Sequence, residues 1–367
     1  MKAISILPGS GNIHLAEVEE PGITGPDEVK IKILQVGICG TDREEAEGGR
    51  ADAPMGKTEL IIGHEMFGQV EEIGTAVTSV KIGDYAVFTV RRGCGKCRAC
   101  DNERSDMCYT GEYTERGIKG ADGFQAEYVV DKESYLVKVP EAIRDIGVLT
   151  EPMSVAVKAI EEAMVIQSAR LRSFDLSENW LQGKKALVAG IGAIGLLAAF
   201  VLRLRGAEVI GLDIVDDDTL RPQILKQIGG TYVDGRIVQT TDIDEVCGAA
   251  DFVFEATGIP KLQIQLIDAL GFNGIYVATG IPAGKRPLTI IAADLIQQLV
   301  LKNQILLGSV NAGVEHYKMA VADLEACQAK WPDAMGRIIT ERFSFNEFEK
   351  AMLPHTVDEI KVVVDWA

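Results

Sequence analysis

From Ala186 to Leu202 the chain runs seventeen residues without a charge, ALVAGIGAIGLLAAFVL. A segment this apolar has two fates in water, a membrane span or a piece of buried core. A span needs about 20 residues in one continuous helix, and here Gly190, Gly192 and Gly195 fall near the start. The pattern therefore predicts a buried strand, a glycine turn and a buried helix. In a G-x-G-x-x-G turn so placed, the first glycine reverses the chain, the second lets a pyrophosphate approach the backbone, and the third lets helix and strand pack closely. Ala193 and Ile194 then sit at the helix N-terminus, where unpaired amides and the helix dipole favour phosphate.

The surrounding pattern supports this. Apolar runs at 186–190, 208–213, 231–234, 251–258, 274–280 and 304–309 alternate with helical segments, which predicts a doubly wound parallel sheet. Residues 1–155 read differently: β-branched runs such as EVKIKILQVGICG and DYAVFTV are broken by Gly and Pro, as in a β-rich, barrel-like domain. A helical pattern begins near Glu151, and the polar connector SARLRSFDLSENWLQGKK leads into the second region. The expected class is thus α/β, with a β-rich domain at 1–155, a Rossmann domain at 156–310, and a segment at 311–367 that returns to the first domain. Asp213 ends the second strand, 18 positions after Gly195, placed to bind both adenine-ribose hydroxyls and to repel a 2′-phosphate. Asp216, Asp217 and Asp218 add to that repulsion, so NAD is expected over NADP, with Arg221 the one nearby residue that opposes it.

Cys94, Cys97, Cys100 and Cys108 form C-x2-C-x2-C-x7-C in a lobe at 93–110. Four thiolates at short loop spacing satisfy a closed tetrahedral zinc site. The ferredoxin run differs, with three residues before its last Cys and Pro after it, where this chain has seven residues and Tyr109. Disulfides are disfavoured in a reducing compartment, and the short apolar run of MKAISILPGSG, broken by Pro8 and Gly9, is too little for a secretory signal; a cytoplasmic location is expected. With 37 Lys and Arg against 54 Asp and Glu, the net charge of −17 disfavours nucleic acid and anionic membrane surfaces, leaving small molecules as partners.

The segment GHEMFGQVEEIGTAV at 63–77, with Cys39-Gly40-Thr41-Asp42 before it, the cysteine lobe after it, Glu151-Pro152 beyond and the glycine loop last, resembles the zinc-dependent medium-chain alcohol dehydrogenases, whose first domain is GroES-like. The resemblance covers nearly the whole chain. It implies a catalytic zinc on Cys39, His64 and Glu151, with Glu65 an exchangeable ligand or an orienter beside it, and a structural zinc in the cysteine lobe, two zinc ions per chain. A thiolate, an imidazole and a carboxylate suit zinc and leave a coordination position open.

Within that superfamily FTVRRG, TERGIKGADGFQAEY, VLTEPMSV and LGSVNAGVEHY look like the glucose 1-dehydrogenases, which oxidise aldoses at C1. This implies that Thr41, Glu115, Glu151 and Asn311 contact sugar hydroxyls or nicotinamide, that Thr257 and Asn311 join the cofactor contacts, and that the chain forms a homodimer or homotetramer. Rival functions are a polyol or secondary-alcohol dehydrogenase of the sorbitol or threonine type and, from another class, a non-catalytic zinc-stabilised nucleotide-binding protein. Retention of Cys39, His64, Glu65 and Glu151 together argues against the last.

Overall fold

The strand Glu28–Ile38 alternates buried and more exposed residues from Glu28 to Ile33 and is buried from Val36 to its end, and the sheet around it sets the first half of the molecule. In this computed structural model, which describes residues 1–171, 179–282, 284, 287–353 and 356–367, that strand pairs antiparallel with three others. These are Glu65–Ile73, Tyr128–Lys132 and Lys361–Asp365. Seven strands complete this sheet, and separate three-stranded sheets flank it among the described residues.

The pairing register carries the chemistry. Gly37 stands opposite Glu65 and Ile38 opposite Val362, so residues 38, 65 and 361 meet at one sheet end although they are far apart in sequence. Gly37 must lack a side chain, because a Cβ there would lie 2.1 Å from a Glu65 carboxylate oxygen. The helix Gly40–Ala46 that follows is clamped to the returning C-terminal segment by Arg43, whose guanidinium donates to Glu359 at 2.7 Å.

The chain divides into two compact units, one of residues 1–154, 311–328 and 338–367, the other of residues 155–310 and 329–337. The division falls inside the helix Thr150–Arg170. Residues 329–337, expected with the first unit, group instead with the second, where Trp331 packs edge-on against Phe200 with ring centroids 5.9 Å apart.

The second unit holds a six-stranded parallel sheet. Its spatial order is Thr231–Asp234, Glu208–Asp213, Lys185–Ala189, Ala250–Glu255, Leu270–Ala278 and Ile305–Gly308. The order reverses direction at Lys185–Ala189, which makes the C-terminal end of that strand the switch point where such sheets bind ligands. The helix Ala193–Leu204 follows, and Leu196, Leu197, Phe200, Val201 and Leu202 are all fully buried; at about 1.5 to 3 kcal/mol for each large side chain, this burial explains the uncharged sequence.

Two strand ends differ from the sequence pattern by three residues or more. The fourth strand stops at Glu255, because the Glu255 carboxylate accepts the amides of Thr257 and Gly258 and turns the chain. The fifth starts at Leu270 rather than Gly274, through a register shift opposite Ala250. Of the polar connector, residues 172–178 lie outside the described residues. No described helix is long and apolar enough to cross a membrane.

Candidate active site

Cys39 leaves the end of the long strand and caps the next helix: its Sγ accepts from the Thr41 amide at 3.2 Å, while Asp42 Oδ2 accepts from the Cys39 amide at 2.8 Å. His64 follows Gly63, whose φ of +86° is the left-handed region that glycine occupies without strain. Its Nε2 lies 3.1 Å from Cys39 Sγ and its Nδ1 lies 3.5 Å from Asp42 Oδ1. Asp42 is fully buried, and so both caps the strand end and faces the outer nitrogen of the imidazole, the position that fixes tautomer and ring orientation in metal-bound histidines.

Glu65 is placed beside them, and its partner is one the sequence did not bring to notice. Lys361 Nζ bonds both Glu65 oxygens, at 2.7 and 2.6 Å, and donates to the Ile38 carbonyl at 3.2 Å. Both side chains are buried. The signal was a single lysine opening the otherwise apolar strand IKVVV.

Ligand atoms of Cys39, His64 and Glu65 all lie within 4.8 Å of one another. Glu151, in the first turn of its helix, falls outside that group but is buried and feels its charges. Burial, then the Glu65 charge, push its carboxyl up to about 7. Burial likewise raises the Cys39 thiol, against the pull of His64. For His64 burial favours the neutral ring, yet Cys39 and Asp42 outweigh it and hold the pKa well above the ordinary value. A desolvated sulfur, imidazole and carboxylate set with a net excess of anionic groups fits a zinc ion, whose charge favours deprotonated ligands.

The four lobe sulfurs also lie within 4.8 Å of one another, with separations of 4.0 Å for Cys94–Cys100, 3.5 Å for Cys97–Cys100 and 4.0 Å for Cys97–Cys108. A tetrahedron with zinc–sulfur bonds of about 2.3 Å has edges of about 3.8 Å, so this donor set fits zinc as well. All seven cysteines are free of disulfides.

Thr41 stands beside Cys39, and its hydroxyl has no hydrogen-bond partner among the described residues. Glu115 lies on the strand Thr114–Arg116, whose following Gly117 packs so tightly on the Gly63 carbonyl that a Cβ would approach it to 2.4 Å. This sets the Glu115 strand against the segment that carries His64. Glu115 Oε1 accepts from Arg91 Nε at 3.0 Å, Arg91 Nη2 at 2.9 Å and Asn311 Nδ2 at 2.8 Å. Asn311, in the left-handed region at φ +63°, accepts the Ala312 amide on its own Oδ1. Sequence reasoning named Glu115 and Asn311 but not Arg91.

At the glycine loop, Gly192 caps the helix Ala193–Leu204 without a side-chain acceptor, which leaves its first amides open to phosphate. A Cβ on Gly195 would lie 1.8 Å from the Gly190 carbonyl oxygen. Gly195→Ala is therefore expected to displace the loop and weaken dinucleotide binding at least about tenfold, measured by fluorescence titration of the reduced dinucleotide; unchanged affinity would dissociate the loop from the phosphates. Asp213 Oδ2 accepts from the Ile191 amide at 3.0 Å, and Arg221 Nη1 stands 3.7 Å from the same oxygen. The acidic run beyond is partly neutralised: Asp216 pairs with Arg236 and Asp217 with Lys226. Thr257 donates its hydroxyl to Glu255 at 2.5 Å and sets its methyl beside Gly190.

Residues 144–366 match the family described as glucose dehydrogenase C-terminus, and residues 25–141 match the alcohol dehydrogenase GroES-like domain. The chain is 38% identical over 366 residues to glucose 1-dehydrogenase 2 of Vulcanisaeta moutnovskia, covering 100% of this chain and 99% of that one. It is 35% identical to glucose 1-dehydrogenase of Methanocella arvoryzae, with the same coverage. Among solved structures, Haloferax mediterranei glucose dehydrogenase in complex with NADP, Zn and gluconolactone superposes with a TM-score of 0.88 at 33% identity, over 100% of this chain and 99% of that one. With a GroES-like first domain, a parallel nucleotide-binding sheet and these matches over its full length, the chain belongs to the glucose dehydrogenase family of zinc-dependent, medium-chain alcohol dehydrogenases.

Proposed function

We propose that the protein oxidises an aldose at C1, D-glucose or a close relative, passing hydride to a nicotinamide dinucleotide and releasing the aldonolactone. The observation that carries this is the convergence of Cys39, His64 and Glu65 within 4.8 Å, in the same unit as a carboxylate, Glu115, that keeps one oxygen for a ligand. Zinc bound by Cys39 and His64, with Glu151 or Glu65 completing the set, would supply Lewis acidity toward the sugar's anomeric hydroxyl. Asp42 holds the His64 ring, Lys361 neutralises Glu65, and the Thr41 hydroxyl is placed to relay a proton, accepting one as it passes its own on. Glu115 Oε2, which accepts no bond from the described residues, receives a sugar hydroxyl. Cys94, Cys97, Cys100 and Cys108 hold a second, structural zinc.

NAD is preferred over NADP, because the Asp213 carboxylate at the end of its strand opposes a 2′-phosphate. Against this stands Arg221 at 3.7 Å from it. Asp213→Ala is expected to shift the ratio of kcat/KM toward NADP by about tenfold or more, as removal of a like-charge contact allows; a ratio that does not move would strip Asp213 of the role.

A homodimer or homotetramer forms through the second unit. The helix Ala292–Leu301 has no buried residue, Val300 and Leu301 are 68% and 65% exposed, and among the described residues the neighbouring strand Ile305–Gly308 pairs on one side alone. An apolar helix beside an open sheet edge is a surface that association covers. Free thiols throughout fit a reducing, cytoplasmic setting. The deciding experiment is an aldose and polyol panel with both dinucleotides, read by nicotinamide absorbance. Rapid turnover of aldoses is expected; turnover of polyols alone favours the secondary-alcohol function, and reduction of neither dinucleotide with any sugar removes the proposal.

A further inference from the structure

We propose that Arg91 is a positioning residue that ties the four-cysteine lobe to the carboxylate receiving the sugar, so that the packing of the lobe sets sugar affinity. Arg91 and Glu115 are register partners on adjacent antiparallel strands, which brings their side chains to one face. Two Arg91 nitrogens grip Glu115 Oε1, and the third, Nη1, donates to the Asp106 carbonyl at 2.6 Å. The guanidinium also lies over the Tyr113 ring, 4.1 Å from its centroid.

Asp106 belongs to the lobe, two residues before Cys108. Its fully buried carboxylate is held by Arg104 Nε at 3.0 Å and Nη2 at 2.8 Å. The same residue backs the other donor to Glu115: a Cβ on Gly313, two residues after Asn311, would lie 2.9 Å from Asp106 Oδ1. Both groups that orient Glu115 Oε1 are thereby referenced to one residue of the lobe, and Oε2 is presented in a fixed direction. A planar fork is needed to span a carboxylate and a carbonyl at once, which a lysine ammonium does not do.

Resting on the aldose function above, the test measures KM for sugar, KM for dinucleotide and kcat separately, with calorimetric titration of the aldonolactone as a readout free of turnover. Arg91→Met is expected to raise the sugar KM and the lactone Kd by about tenfold or more, the loss of charge-assisted hydrogen bonds, with the dinucleotide KM unchanged. Arg91→Lys, which keeps bulk and charge, still raises the sugar KM and serves if Arg91→Met does not fold. Arg104→Met, which releases Asp106, raises the sugar KM severalfold in the wild-type background and adds little on top of Arg91→Met, since both act through one contact chain. Wild-type sugar affinity in Arg91→Lys, or additive effects of the two substitutions, would overturn the coupling. Failure of the unmodified protein to bind or oxidise any aldose would instead overturn the function on which it rests.

Discussion

His64→Ala is expected to lower kcat by about a thousandfold or more and to cost one equivalent of bound zinc, with the equivalent in the cysteine lobe retained. The magnitude follows from the several kcal/mol that a Lewis acid contributes to a developing oxyanion, about 1.36 kcal/mol being tenfold in rate. His64 is the donor with the most direct geometry, 3.1 Å from Cys39 Sγ and backed by Asp42. Kinetics together with elemental analysis of the purified variant check it. Turnover and zinc content both at wild-type levels would place the metal elsewhere and take the mechanism with it. A cavity the size of an imidazole lowers stability, so a melting curve accompanies the assay; a variant that melts near the wild-type temperature and is inactive separates chemistry from folding.

Asp131→Asn is expected to destabilise the fold by about 3 to 5 kcal/mol, the range seen when one partner of a buried charged network is removed. Asp131 Oδ2 accepts from Arg92 Nε and Nη2 at 3.0 and 2.7 Å and from Arg116 Nε and Nη2 at 2.8 and 2.5 Å, while Oδ1 accepts the Lys132 amide. Without the negative charge, two guanidiniums that are little exposed are left facing each other. Burial by itself would raise the Asp131 carboxyl, but Arg116 and Arg92 outweigh it and lower the pKa from the ordinary 3.8 to about 2.

A carboxyl depressed on folding gives stability that is complete above its unfolded pKa and vanishes as pH falls to the folded one. The window is therefore about pH 4 down to about pH 2. The stability lost across it is about 2 kcal/mol, since a tenfold change in proton affinity is worth about 1.36 kcal/mol. Urea denaturation of both proteins across that range is the check. The stability gap between wild type and Asp131→Asn narrows as pH falls through the window, and a gap independent of pH would refute the electrostatic origin.

Some of the site was legible because local spacing encodes it. The glycine loop is one turn between one strand and one helix, and the lobe cysteines fall within fifteen consecutive residues; neither depends on where the rest of the chain goes. Asp42 had a local signal that passed unread, since an acidic residue three positions after a strand-ending cysteine is where a capping box places its side chain. Lys361, Arg91 and Arg116 had almost none. A lysine or arginine is usually a solvated charge, and the opposite becomes visible once its carboxylate is found, here 296 residues away for Lys361 and Glu65.

The sequence by itself determined the two kinds of domain, the glycine loop and the compact four-cysteine lobe, because period, turn chemistry and ligand spacing act over a few residues; the dispersed set of Cys39, His64 and Glu151 was legible through family resemblance alone. Tertiary structure alone decided which charges are buried and what they face: Lys361 on Glu65, Asp42 against His64, two arginines on Asp131, Arg91 between the lobe and Glu115. Desolvation and pairing are properties of a position in three dimensions, set by strand register between distant segments, and a one-residue slip in that register would send each of these side chains to the other face.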